Sequence, residues 1–458
     1  MIGEQGLQRA GEVRIEQLKL INSADEIIDL TEFIVELNLF EDLFKNYLHG
    51  NLVLTDSRNL IDQFNIHGEE FLNVRFRTPS FPDSAVIEKT FRVFKLSDRT
   101  IVRDKNTQNF VLHFISIEFF LDINLPLFAP FEGTITDVAG TIFSDFIASS
   151  RNFNVSELGN EITEDPKPTE LIVINKASNK VKFISPGWSP FKCINWLASK
   201  AIPETGTAKN FIFFESNKNF YFGTLENLFR DAHENKNYLG RYLISVSNIR
   251  DDKNSQDVNR EMFLAKDVEM IETSDYIKNY TNGYLANRLV YLDVFNKEYE
   301  LVDYDHTLNY EKQFHSSGNG EEAKPVFSKE TFRNFATNIS FYPKNPKLFT
   351  EYPDNISEKM GEIYGNRLSS MLELTNIKMN MTIPGRTDAE VGRLIYFEYP
   401  SLGAKDGTDT GSSAQDKLYS GYYIITAIHH KVNKHEHSMI MEVIKDSLYV
   451  DIESTYKA

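Results

Sequence analysis

The sequence predicts a β-rich α+β chain, with barrel- or sandwich-like β regions at both ends and a mixed α+β middle. Three observations carry that prediction. Short apolar runs punctuated by Gly, Pro and Asp recur from residue 13 to 121 and again from 377 to 448. Between Pro126 and His233 the apolar period changes to a helical one. Aromatic content is 13%, with 35 Phe and 21 Tyr against two Trp, which suits β cores and aromatic interfaces better than a helical bundle.

In chain order, Val13, Ile15, Leu18, Leu20 and Ile21 form a first strand, Glu26–Phe40 a near-continuous apolar run, and Gly50–Thr55 a further strand. Asn59–Phe64 reads as one helical turn. Leu72, Val74 and Phe76, then Val86–Leu96 and Phe110–Phe120, complete about six strands. Val138, Ile142, Phe146 and Ile147 recur at helical spacing, and Ser189-Pro190 reads as a cap and first-turn proline opening a helix over Phe191–Ala198. Thr224 opens a third short helix, and Leu171–Asn175 and Phe211–Glu215 are strands among them. Strands return from Tyr238 to Tyr310, with turns at Arg250–Lys253 and Asn279–Gly283. Gln313–Pro325 reads as a mobile loop or linker, Asp354–Leu374 as a helix with Ile356, Met360, Ile363, Tyr364, Leu368 and Met371 on one stripe, and Ala404–Asp416 as a disordered interruption.

The expected division is a flexible N-terminus at 1–12, a first barrel at 13–122 and a mixed α+β domain at 123–237. A β-rich region at 238–330 can be shared between that domain and a second barrel. A connecting helix region at 331–374, the second barrel at 375–450 and a tail at 451–458 complete the chain.

One hairpin stands out. Ser420–His430 and His437–Lys445 are two extended runs broken at Asn433-Lys434, and both faces of the first are apolar. Strict alternation points Tyr422, Ile424 and Ile428 one way and Tyr423, Ile425 and Ala427 the other. A surface hairpin alternates apolar and polar, so this one is covered twice, by its own chain or by another protein. Gly50–Thr55 and Gly421–Thr426 share a Gly-x-x-aliphatic-aliphatic-Thr pattern, an echo that points to duplicated ends.

Charge and motifs exclude several functions. The formal charge of −17 argues against binding nucleic acid through a basic surface. The single cysteine, Cys193, leaves no intrachain disulfide and reads as a small core residue. There is no secretory h-region near Met1, and Phe110–Phe131 is too interrupted by polar residues to span a membrane. Phosphate-cradling glycine loops, a Gly-x-Ser-x-Gly elbow and His-Glu-x-x-His are all missing from the sequence. The adjacent pairs Glu69-Glu70 and Asp251-Asp252 point to opposite faces of a strand and cannot act across one bond.

Four of the ten histidines, His429, His430, His435 and His437, lie in the hairpin. With Asn433-Lys434 as a two-residue turn, Val432 faces His435, Lys431 faces Glu436 and His430 faces His437. That register puts His430, His435 and His437 on one face, at a spacing able to hold Zn²⁺. Strand histidines without carboxylate partners are a weak metal signal, so no catalytic, cofactor or metal residue is assigned.

Ser420–His430 followed by Glu442–Ser447 resembles the closing strands of the baseplate central hub proteins of contractile-tailed phages of the T-even type. Ile383–Gly392 followed by Ile395–Pro400 is similar to the strands that precede that hairpin in the family. Phe40–Phe44, His49–Asp56 and Ile66–Glu70 are similar to its opening domain. Pro186–Pro190 and Ile194–Ala198 resemble the hub regions of phage tail and VgrG-like type VI secretion proteins.

The resemblance implies two tube-type antiparallel β-barrels per subunit and a homotrimer, giving a ring that matches a hexameric tail tube above to a trimeric spike below. The implied partners are the central spike, the tube or tube-initiator protein, surrounding baseplate proteins and a tape-measure protein, with DNA passing through the channel. The expectation is a non-enzymatic virion protein assembled in the host cytoplasm. VgrG proteins continue into an OB domain and a β-helical spike; here the sequence stops at Ala458, so the spike is expected to be a separate protein. The rivals are a tailocin or type VI-like hub, and a virion-associated hydrolase or His-liganded metal enzyme.

Overall fold

A computed structural model describes residues 7–448 apart from 25, 80, 83–84, 103–106, 151–168, 245–257, 295, 320–322, 327–337, 345–355, 401–415 and 417. The turn expected at Arg250–Lys253, most of Ala404–Asp416 and the 451–458 tail lie outside the described residues. Strand makes up 47% and helix 22%, so the expected β-rich α+β class is borne out.

Seven strands open the chain: β1 (Arg14–Ile21), β2 (Ile27–Asp29), β3 (Ile34–Asp42), β4 (His49–Asp56), β5 (Phe71–Arg77), β6 (Ile87–Val102) and β7 (Thr107–Ser116). They pair antiparallel in the order β3-β4-β7-β6-β5-β1-β2. Alternation decides what they bury: in β7, Phe110, Leu112 and Phe114 face a core shared with Leu52, Leu72, Phe76 and Phe91. The apolar run Glu26–Phe40 is two strands, parted by a turn in which the Phe33 amide donates to the Leu30 carbonyl at 3.0 Å.

The expected strand Phe110–Phe120 stops at Ser116, and Ile117–Asn124 is a helix. A continuous apolar run cannot separate the two by period. Ser116 ends the strand because its hydroxyl donates to Glu215 at 2.6 Å and accepts from the Leu48 amide at 3.0 Å.

The middle contains β8 (Pro130–Thr134), β9 (Leu171–Val173), β10 (Lys180–Ile184), β11 (Phe211–Glu215) and β12 (Phe220–Thr224). Helices Ile135–Ile142, Pro190–Ala198 and Leu225–Glu234 pack among them. Ser189 and Thr224 cap the last two, each side chain accepting from the amide three residues on, as their positions before an apolar run predict.

Next come β13 (Tyr238–Ile244), β14 (Leu264–Ala265) and β15 (Asp267–Glu272), then β16 (Ala286–Asp293), β17 (Glu298–Asp305), β18 (Phe314–His315), β19 (Gly318–Asn319) and β20 (Asn338–Pro343). The expected turn at Asn279–Gly283 falls partly in a helix, Tyr276–Thr281, capped by Asp275. The last four strands are β21 (Ile377–Pro384), β22 (Leu394–Glu398), β23 (Gly421–Val432) and β24 (His437–Lys445). The run Leu264–Glu272 pairs parallel with β13 through β14 and antiparallel with β21 through β15. The order β13-β22-β23-β24-β21-β15/β14 therefore returns to β13, closing a circuit of pairings. Inside it Met379, Met381, Met439, Met441 and Val443 are fully buried, the methionines being unbranched side chains that adapt to irregular space.

A separate sheet, β17-β16-β20, lies against the helix Ile356–Glu373. Met360 and Ile363 pack there as the stripe predicts, but Gly361 and Gly365 set the approach: a Cβ on Gly365 would sit 2.5 Å from the Tyr304 Cβ. Gln313–Pro325 is no loose linker over its described residues. Gln313, His315, Ser316, Ser317 and Ala323 are buried, and Lys324 and Leu448 exchange backbone hydrogen bonds at 2.7 Å. Its polar composition mimics a linker because those side chains are hydrogen-bonded inside the protein.

Gly50, in the centre of the first array, allows a close backbone approach: a Cβ there would lie 2.1 Å from the Asn38 carbonyl oxygen and 2.4 Å from the Phe114 ring. Gly50→Ala is predicted to destabilise the protein by about 1–3 kcal/mol, the usual cost of overpacking. A lowered urea midpoint with an unchanged slope would show it; an unchanged midpoint would contradict the packing described.

Candidate functional site

The site with the strongest claim to function is the seam where β23 joins the two β arrays. One edge of β23 is shared along its length: Gly421–Ile424 pairs with β22, and Ala427–Val432 pairs with β3. The other edge runs along β24. Tyr423, Ile425 and Ile428 belong to the C-terminal core, whereas Val432 belongs to the N-terminal one.

A β-bulge between Ile425 and Ala427 makes this possible. Ile425 pairs with Val443 and Ile428 with Met441, so the extra residue switches the inward phase from odd to even numbers. Ile428 therefore shares a face with Tyr423 and Ile425, not with Tyr422 and Ile424 as strict alternation predicts. At the Tyr422 end of the hairpin the second cover is its own chain: Tyr422 stacks on Tyr238 at 5.1 Å and meets His233 edge-on at 4.8 Å.

The hairpin register also differs from expectation. Val432 pairs with His437, Lys431 with Ser438 and His430 with Met439, because the turn spans 433–436. Asn433 stabilises that turn, its side chain accepting from the amides of His435 and Glu436 at 2.9 and 2.8 Å. His435 therefore sits in the turn and His429 on the outer face, so the expected three-imidazole face does not form. Lys431 pairs with Glu36 at 2.9 Å instead of Glu436.

His430 and His437 face inward, fully buried, and form a hydrogen-bonded chain. His430 Nε2 and Glu41 Oε1 are 3.1 Å apart, and His430 Nδ1 is 3.0 Å from His437 Nε2. Since the carboxylate only accepts, His430 Nε2 donates to it, and a second hydrogen bond joins His430 Nδ1 to His437 Nε2. Burial and the neighbouring His430 push the His437 pKa well below the ordinary histidine range. The carboxylate partner was invisible in the sequence because Glu41 is 389 residues from His430.

On the outer face one row crosses both arrays: Thr382, Ile440, His429, Phe40, His49 and Ile115 are successive cross-strand partners. Phe40 stacks between His429 at 4.4 Å and His49 at 5.1 Å. Beside it, the Asn38 side chain accepts from His429 at 2.6 Å and donates to Asn51 at 3.0 Å. Burial lowers the pKa of both His429 and His49, so the row is uncharged near neutral pH. Two ion pairs lie on this face, Lys431 with Glu36 and Lys378 with Glu442 at 2.6 Å, while Asp267, Glu269 and Lys95 share the face by register and are exposed.

The middle region is anchored to the first array by Glu215, fully buried at the end of β11. It accepts from Ser116 at 2.6 Å and the Leu48 amide at 2.8 Å and pairs with Lys89. Burial, opposed by Lys89, raises its pKa to about 7. Cys193 is buried in the middle core beside Ser185, as expected of a core residue, and burial raises its thiol pKa. Glu69 and Glu70 divide as predicted: Glu69 is exposed, while buried Glu70 accepts from the His67 amide at 2.7 Å.

No protein-family model matches the sequence, and no curated protein matches it either. Solved structures do match. A tail protein from Neisseria meningitidis MC58 covers 94% of this chain and 96% of its own, at 8% identity and a TM-score of 0.50. The 43 kDa tail protein of prophage MuSo2 from Shewanella oneidensis covers 94% and 98%, at 10% identity and a TM-score of 0.51. This chain has the fold of those tail proteins. The expected resemblance to phage tail hub proteins is thus borne out in the fold, over nearly the whole length of each.

Because His437 stays neutral when folded but protonates near pH 6.5 when unfolded, its contribution is present above that pH and lost as the pH falls below it. The lowered pKa values of His429 and His49 act in the same direction. Denaturation between pH 7 and 5.5 should show falling stability, with a slope of up to about 1.4 kcal/mol per pH unit for each such proton. His437→Gln should flatten that slope; an unchanged slope would contradict a neutral buried His437.

Proposed function

We propose that this protein is a structural hub of a contractile phage tail baseplate, a homotrimeric ring that adapts the hexameric tail tube to the trimeric central spike around a DNA channel. The observation that carries the reading is the seam: a single sheet face runs unbroken from one β array to the other. Two such arrays per subunit, in three subunits, supply six tube-type units, which is what a match to a hexameric tube requires. In this reading residues 13–122 and 375–450 are the core of the two units, 123–237 buttresses them, and strands from 238–330 complete the second.

The outer face of the seam then lines the channel. DNA is retained by unpaired cations that release counterions from its phosphates. A lining in which His429 and Asn38 are uncharged, Lys431 and Lys378 pair with Glu, and exposed Asp267 and Glu269 repel phosphate has little such affinity.

Assembly also has a surface to cover. On the face of β17-β16-β20 turned away from the helix Ile356–Glu373, Leu292, Tyr299, Leu301, Ile339 and Phe341 lie together by register and are exposed. Contiguous exposed apolar faces of this kind mark protein contacts. The partners in this reading are two further copies, the spike protein, the tube or tube-initiator protein and neighbouring baseplate proteins, within the virion. No catalytic role is proposed.

Light scattering on the chromatographed full chain tests the reading. A trimer, formed alone or on adding the spike protein, is expected. A stable monomer at micromolar concentration with the spike present would overturn it.

A further inference from the structure

Away from the seam, three parts of the chain converge on a buried polar cluster. His315 comes from β18, Glu373 ends the helix Ile356–Glu373, and Asp446 directly follows β24. His315 Nδ1 lies 3.2 Å from Asp446 Oδ2 and 3.9 Å from Glu373 Oε1. One ligand atom from each of the three falls within 4.8 Å of the others, and all three residues are buried.

The surroundings hold these atoms as a metal site would. His315 Nε2 is 3.1 Å from the Tyr310 carbonyl oxygen, which can only accept, so Nε2 carries the hydrogen and a neutral ring turns its Nδ1 lone pair towards the carboxylates. A lone pair facing two carboxylates is repulsive unless a proton or a metal cation lies between. Each carboxylate is oriented from behind: Asp446 Oδ1 accepts from the Ser316 amide at 2.9 Å and from its hydroxyl, and Glu373 Oε1 accepts from the Tyr284 hydroxyl at 3.2 Å. Outer partners of this kind fix ligand direction around metals.

A fourth group points the same way. His306 is 1% exposed, and neither of its ring nitrogens makes a hydrogen bond, though Nε2 lies 3.3 Å from Glu373 Oε2. An unbonded buried imidazole is costly, and a ligand would satisfy it. A divalent cation would offset the charge of both buried carboxylates.

We propose that His315, Glu373 and Asp446 bind a divalent first-row metal ion of the Zn²⁺ class, with His306 completing or supporting the set. Nitrogen and carboxylate oxygen ligands in mixture suit that class. Its role is structural, since the cluster is enclosed: it pins the end of β24 to the long helix and to β18.

The test uses the full chain, purified without chelating resin. Elemental analysis should find about one equivalent of metal per chain, and after chelator treatment Zn²⁺ should rebind saturably and raise the melting temperature. Co²⁺ should bind in its place and show visible absorption from a mixed nitrogen–oxygen site. Glu373→Gln and Asp446→Asn, each checked for fold by circular dichroism, should lose stoichiometric binding. Ser316→Ala, which spares the ligands, should weaken it roughly 10- to 100-fold. Wild-type protein that is metal-free as purified and binds neither Zn²⁺ nor Co²⁺ saturably would overturn the proposal without reliance on any variant. Folded Glu373→Gln and Asp446→Asn proteins with unchanged affinity would overturn it as well.

Discussion

The structure depends on one constraint: a single edge of β23 must satisfy two different strands in succession. Its amides and carbonyls pair with β22 at the start and with β3 at the end, leaving no sheet edge between the two arrays. Since a strand's side chains alternate strictly, a regular strand would present the wrong face to one of the two cores. The bulge after Ile425 resolves this by one residue's change of phase. Tyr423 and Ile425 can then fill one core and Val432 the other. What looked like a hairpin with too many apolar residues is a strand that serves two interiors.

The joints are polar where the cores are apolar. Glu41 accepts from His430 across the seam, and Glu215 holds the middle region to β4, β6 and β7. Glu390 accepts from Ser216 and Tyr221, both at 2.6 Å. A buried carboxylate in each place has several donors, and removing any donor would strand a charge. Apolar packing alone tolerates sliding; these groups have one arrangement that satisfies them. Fixed placement of arrays is what a ring built from repeated subunits requires.

Much of this was legible in the sequence where the signal is local. The Ser189 and Thr224 caps and the switch to helical period after Pro126 reflect contacts within a few residues, and those elements formed there. The Gly50 and Gly421 strands do open paired elements of one continuous sheet, although each glycine meets different neighbours, Phe114 in one case and Lys445 in the other. What escaped was set by distant residues. The bulge at Thr426 leaves no mark in an unbroken apolar run. The four-residue turn at 433–436 depends on the Asn433 side chain, and one altered turn length moved every histidine pairing. The Gln313–Pro325 stretch looked like a linker because its serines and histidine are polar; their partners Asp446 and Ser447 lie about 130 residues away. Glu41 could not be linked to His430 for the same reason.

The central claim is that the outer face of the seam lines a channel. Electron cryomicroscopy of the assembled tail bears on it most directly. The account predicts that Asn38, Asn51 and His429 of every subunit face an open central channel, with the sheet continuous around the ring. A map in which that row is covered by another protein layer, or in which the two arrays lie on different rings, would contradict it.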